Sequence, residues 1–91
     1  MRGFNLDDLL DPITKKRLIS VYDKLSHNER ETVANVLGTL ERLRKSLYSF
    51  QITYSTFCER RDANITFLNE YLGLWSLFGT ILRKIFIMQN I

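Results

Sequence analysis

Large apolar residues recur at alternating intervals of three and four along most of this chain, and that spacing constrains the fold more than any other feature. Val33, Val36, Leu40, Leu43, Leu47, Phe50, Tyr54 and Phe57 form one series; Leu68, Tyr71, Trp75, Phe78, Leu82 and Ile85 form a second. A half-buried strand repeats every second residue. A 3–4 alternation instead keeps side chains on one stripe of a helix, at the a and d positions of a heptad. Four Gly and one Pro in 91 residues are too few turn formers for many short strands. The sequence therefore predicts an all-α chain: a small helical bundle built on a long antiparallel hairpin of the second and third helices. A shorter, Pro-interrupted helical region precedes that hairpin.

Local signals place the helices at about 5–10, 12–25, 27–59 and 63–88 within one domain, 1–91. Asn5 stands at a capping position, with Asp8 three residues later as its return partner. Asp11-Pro12 combines a good N-cap with a residue suited to the first helical position. Ser26 and Glu29 have the spacing of a capping box, in which each side chain accepts the other's backbone N–H. Arg60 and Arg61 suit a helix C-terminus, and Asp62 or Asn64 can cap the helix that follows. The segment "QITYSTF" (51–57) is rich in β-branched and aromatic residues, so a strand competes there. The unbroken heptad phase favours helix.

The flanks of the two seams differ. With Leu68 at a, the third helix carries Phe67, Leu74, Ile81 and Met88 at g and Ile65, Leu72, Gly79 and Phe86 at e. A two-stranded coiled coil would carry charges there, so this helix needs cover on both sides. The second helix, with Val33 at a, has Thr32, Thr39, Ser46 and Thr53 at g, the pattern of an outer wall. Leu6, Leu9, Leu10, Ile13, Leu18, Val21, Tyr22 and Leu25 supply cover from the N-terminal region, but Pro12 interrupts them. A second copy is the simplest remaining cover. The expected core or dimer interface is Leu68, Tyr71, Leu72, Leu74, Trp75, Phe78, Ile81, Leu82 and Ile85. Partner contacts are expected at Tyr48 and Ile52, which lie off the seam, and at Phe86, Ile87 and Met88. The uncharged run 71–82 falls short of the roughly 18 to 20 residues that cross a bilayer, and Arg83 and Lys84 end it.

Chemistry-bearing groups are sparse. His27 has no companion at metal-ligand spacing, and Cys58 has no base within reach on a helix that would hold His27 at its far end. Asp7, Asp8 and Asp11 cluster, but each has a capping or helix-dipole explanation. No phosphate loop, catalytic triad or paired CxxC occurs in the sequence, so no enzyme, cofactor or metal is expected. One cysteine allows no internal disulfide, and "MRGFNLDDLL" has no apolar signal core; an intracellular, cytoplasmic protein is expected. The leading expectation is a dimer that binds another protein as an adaptor, inhibitor or regulator. Thirteen basic against ten acidic side chains also permit a nucleic-acid binder, using Lys15, Lys16, Arg17, Arg42, Arg44 and Lys45. A peripheral membrane-surface protein is the third possibility.

Overall fold

The computed structural model describes the backbone of residues 3–89 and the side chains of residues 3–73. The chain runs through α1 (Leu6–Leu9), α2 (Pro12–Val21), a 3-10 turn (Tyr22–Lys24), α3 (His27–Tyr48) and α4 (Tyr54–Gln89), with no strand among the described residues. It is the all-α bundle expected from the spacing. The two long helices form an antiparallel hairpin, and α2 lies against α4.

Helix starts follow the capping chemistry closely. Asp11 Oδ2 accepts the Thr14 N–H at 3.2 Å, and Pro12 opens α2. At α3 the Glu29 carboxylate accepts the Ser26 N–H at 2.8 Å while the Ser26 hydroxyl accepts the Glu29 N–H at 3.4 Å, so both halves of the capping box are made. Asn5 behaves differently from expectation. Its amide donates to Asp8 Oδ2 at 3.0 Å and caps no backbone N–H of α1.

The end of α2 also departs from the expected range of 12–25. The α-helix stops at Val21 and tightens into the 3-10 turn. Arg30 of α3 explains the change. Its Nε donates to the Tyr22 carbonyl at 3.2 Å and its Nη2 to the Asp23 carbonyl at 3.4 Å, with the guanidinium 4.7 Å from the Tyr22 ring centre. These carbonyls find a donor outside their own helix, so the chain can reverse within a few residues.

The largest correction concerns the turn between the long helices. The expected helix 27–59 ends at Tyr48, and the expected start at 63 moves back to Tyr54. Gln51 N–H bonds the Ser46 carbonyl at 2.9 Å and Phe50 N–H bonds the Leu47 carbonyl at 3.1 Å. Those two bonds are the Schellman ending, and Phe50 takes its left-handed position at φ 59°. The Ser49 hydroxyl reinforces the stop by donating to the Lys45 carbonyl at 2.8 Å. Thr53 then begins α4, its hydroxyl accepting the Thr56 N–H at 3.2 Å. Phe50, Tyr54 and Phe57 therefore do not continue the α3 seam. Arg60, Arg61, Asp62 and Asn64 lie inside α4 rather than at a helix boundary.

The core is small and continuous. Leu9 and Leu10, Leu18 and Val21, Leu25, Val33, Val36, Leu37, Leu40, Leu68 and Leu72 pack together, with Ile65 and Tyr71 against them. A polar contact also ties α2 to α4: Arg17 Nη1 donates to Asn69 Oδ1 at 2.7 Å. Leu68 is fully buried, so Leu68→Ala is expected to lower unfolding free energy by about 2 to 5 kcal/mol in a urea titration. Phe50 gives the opposite expectation. Its side chain is 94% exposed and its backbone occupies a region that costs a non-Gly residue about 1 to 2 kcal/mol. Allowing for the extra freedom of an unfolded glycine, Phe50→Gly should stabilise the chain by about 0.5 to 1 kcal/mol in the same titration.

Candidate functional site

No constellation for chemistry assembles among the described residues. The acidic cluster is dispersed into separate structural tasks. Asp7 pairs with Lys15, and Asp8 accepts from Arg44 Nη1 at 3.1 Å, which fastens α1 to α3. Asp11 caps α2 and also accepts the buried Thr14 hydroxyl at 2.6 Å. The Thr14 hydroxyl, with help from the Thr14 N–H and against partial desolvation, holds the Asp11 carboxyl below its ordinary value of 3.8. Among the described residues no three His, Cys, Asp or Glu side chains gather as a metal site. His27 is exposed at the start of α3, while half-buried Cys58 lies on α4 near the opposite end of the hairpin. Counting helical rise, these two are about 25 Å apart, not at two ends of one helix.

Of the basic residues considered for nucleic acid, Lys15, Lys16 and Arg17 lie on α2 and Arg42, Arg44 and Lys45 on α3. Lys15, Arg44 and Lys45 are in ion pairs, the last with Glu41 at 3.6 Å. Arg17 is half-buried on Asn69. Arg42 donates to the Thr39 hydroxyl at 3.1 Å, and Lys16 is exposed.

Of the expected interface residues, Leu68 and Leu72 belong to the core of the single chain and Tyr71 packs against it. On a neighbouring stripe of α4, Phe67 is 49% exposed and stacks on half-buried Tyr71, ring centres 6.0 Å apart. Leu74, Trp75, Phe78, Ile81, Leu82 and Ile85 lie outside the described side chains, as do Phe86, Ile87 and Met88. Of the other two expected partner contacts, Tyr48 is 70% exposed and Ile52 is half-buried. Sequence reasoning missed Phe50 and Tyr54 as exposed aromatics, since both sit in phase with the α3 seam. Together with Tyr48 and Ile52 they crowd the reversal between α3 and α4.

No known protein family, curated protein or solved structure matches this chain. No helix among the described residues is long and apolar enough to cross a membrane. Two surfaces expose large apolar side chains: the flank of α4 at Phe67 and the apex of the hairpin at Tyr48, Phe50 and Tyr54.

Asp11 provides a pH test of the N-terminal architecture. A carboxylate whose folded pKa is depressed adds stability above its unfolded pKa, and that stability is lost as pH falls through the folded value. Asp11→Ala should therefore cost about 1 kcal/mol near neutrality, and its difference from the native chain should shrink progressively below about pH 4 in denaturant titrations.

Proposed function

We propose that this protein acts by binding other protein surfaces, first of all a second copy of itself, through the flank of α4. The observation that carries the reading is Phe67, a large apolar side chain 49% exposed on a helix whose neighbouring stripe is already buried. Phe67 opens a second heptad series: Phe67, Tyr71, Leu74, Phe78, Ile81, Ile85 and Met88, with intervals alternating four and three. Beside it runs Ile65, Leu68, Leu72, Trp75, Gly79, Leu82 and Phe86, whose first three members lie in or against the core; of the first series Tyr71 packs against the core as well, while Phe67 stays exposed. A helix with two adjacent apolar seams needs partners for both.

Helix length points the same way. α4 has 36 residues and α3 has 22, so at about 1.5 Å per residue α4 exceeds its partner by about 20 Å. The fourteen additional residues, 76–89, include Leu77, Phe78, Ile81, Leu82, Ile85, Phe86, Ile87 and Met88. Leaving even four such side chains wet would forfeit about 6 to 12 kcal/mol, comparable with the whole stability of a small domain.

The charges favour an antiparallel pairing. Counting Tyr71 as position a, the g positions are Glu70, Leu77 and Lys84. Antiparallel helices bring g against g, so a two-fold axis at Leu77 sets Glu70 opposite Lys84 of the second copy, twice. A parallel pair would set those charges against the apolar e positions Leu68, Trp75 and Leu82. A dimer of this kind has the character of an adaptor, inhibitor or regulator rather than of an enzyme.

Light scattering on the full chain tests the reading: the expected mass is twice 10.8 kDa at micromolar concentration. Glu70→Lys should weaken the dimer, and adding Lys84→Glu should restore it. A native chain that stays at single-chain mass when concentrated sinks the proposal, and a charge swap without rescue sinks the antiparallel arrangement.

A further inference from the structure

The apex of the hairpin carries a feature that neither packing nor the α4 seam uses. Residues 46–58, "SLYSFQITYSTFC", contain no charge. Within them Tyr48 is 70% exposed, Phe50 94% and Tyr54 67%, with Ile52 between. The four occupy alternate positions through the reversal, so the end of α3, the turn and the start of α4 each contribute one or two. Phe50 is the telling member. It stands in the left-handed position where glycine is the usual occupant, and its ring gains almost no packing there. The bare ring therefore adds little to folding stability, whatever the backbone bonds beneath it contribute.

We propose that this apex is a docking surface for anionic lipid, dipping its aromatic side chains into the headgroup region of a membrane. Three observations select that occupant. The apex is the convex end of a helical hairpin, and a fluid interface accepts a convex tip without a shaped pocket. Tyrosine and phenylalanine suit that depth, since tyrosine keeps its hydroxyl among the headgroups while its ring leaves bulk water. Behind the uncharged stretch stands a collar of cations. Arg42 and Lys45 lie on the α3 side and Arg60 and Arg61 on the α4 side, against Glu41, Glu59 and Asp62, while Arg44 is held by Asp8.

The spacing of that collar matches the depth. Lys45 stands five residues before Phe50, and Arg60 and Arg61 stand six and seven after Tyr54, which places them about 7 to 10 Å behind the tip. Amphipathic surfaces lie about 5 to 10 Å deep in the boundary region, which would bring these cations to the phosphate layer. Arg61 already rests 5.3 Å from the Phe57 ring centre, so a cation and an aromatic share the rim of the apex. In the ion pairs of Lys45 with Glu41 and of Arg61 with Asp62 one partner is exposed and the other half-buried, so water screens them and lipid phosphates can compete for the cations.

The test is cosedimentation of the full native chain with vesicles rich in phosphatidylserine, beside vesicles of phosphatidylcholine alone, at low and high salt. The native chain should pellet with the anionic vesicles and should release as salt rises. Phe50→Gly should weaken that binding about tenfold, the loss of one ring's transfer from water, without lowering the melting temperature. Because Phe50 is remote in sequence from the α4 seam, both chains should show the same mass by light scattering, so failure here is distinct from failure of the dimer. A native chain left in the supernatant overturns the inference and leaves the apex to a groove on a protein. Equal pelleting by the Phe50→Gly chain, or equal pelleting on phosphatidylcholine, overturns it too.

Discussion

The reversal between Ser49 and Thr53 fixes most of what this structure can be. Its hydrogen bonds end α3 at Tyr48 and allow α4 to begin at Tyr54, so they set the lengths of both long helices. Those lengths decide the pairing. Counting back from the turn, Leu40 falls beside the second and third turns of α4, and Val33 beside the level of Leu68 and Leu72. All four are core residues. Had the turn fallen ten residues later, α3 would carry Tyr54 and Phe57 and α4 would have little length to spare. A strained Phe50 is therefore tolerated at a point where the bonds from Phe50 N–H and Gln51 N–H do a structural job that side-chain identity does not disturb.

What the sequence revealed follows from how directly each residue type expresses its mechanism. Ser26 with Glu29 and Asp11 with Pro12 are short-range devices whose atoms reach each other in one geometry, and both appear as read. The all-α class was legible for the same reason, because a 3–4 apolar spacing has no sensible strand equivalent. The central turn was illegible. It contains no Gly or Pro, and Phe50, Tyr54 and Phe57 happen to keep the heptad interval while the backbone beneath them changes direction. Periodicity records which residues are apolar. It does not record whether apolar residues are buried, and here the most exposed of them prolonged the pattern.

The same ambiguity bears on the apolar stripes of α4. The sequence places Leu68 and Tyr71 on one seam of α4. Leu68 and Leu72 are buried in the core, half-buried Tyr71 packs against it, and Phe67 marks an exposed stripe beside them. Residues one apart on a helix differ by about 100°, so adjacent seams interleave in sequence and only burial distinguishes them. Arg30 was invisible for another reason. Its bonds to the Tyr22 and Asp23 carbonyls cross between helices, and no local pattern announces a cation that ends someone else's helix.

The two proposed surfaces lie in different stretches of one chain, and their combination has a geometric consequence. An antiparallel pair centred on Leu77 would carry its two apices at opposite ends of a single rod. Each apex lies about 25 residues along the chain from that axis, so the tips would stand about 75 Å apart. Such a molecule cannot press both tips on one flat surface, but it can hold two surfaces at a set separation. A parallel pair would do the reverse and sum both apices on one membrane. The placement of Glu70 and Lys84 around Leu77 is thus more than a detail of pairing specificity, because the direction of the second helix decides whether paired tips grip one surface or span two.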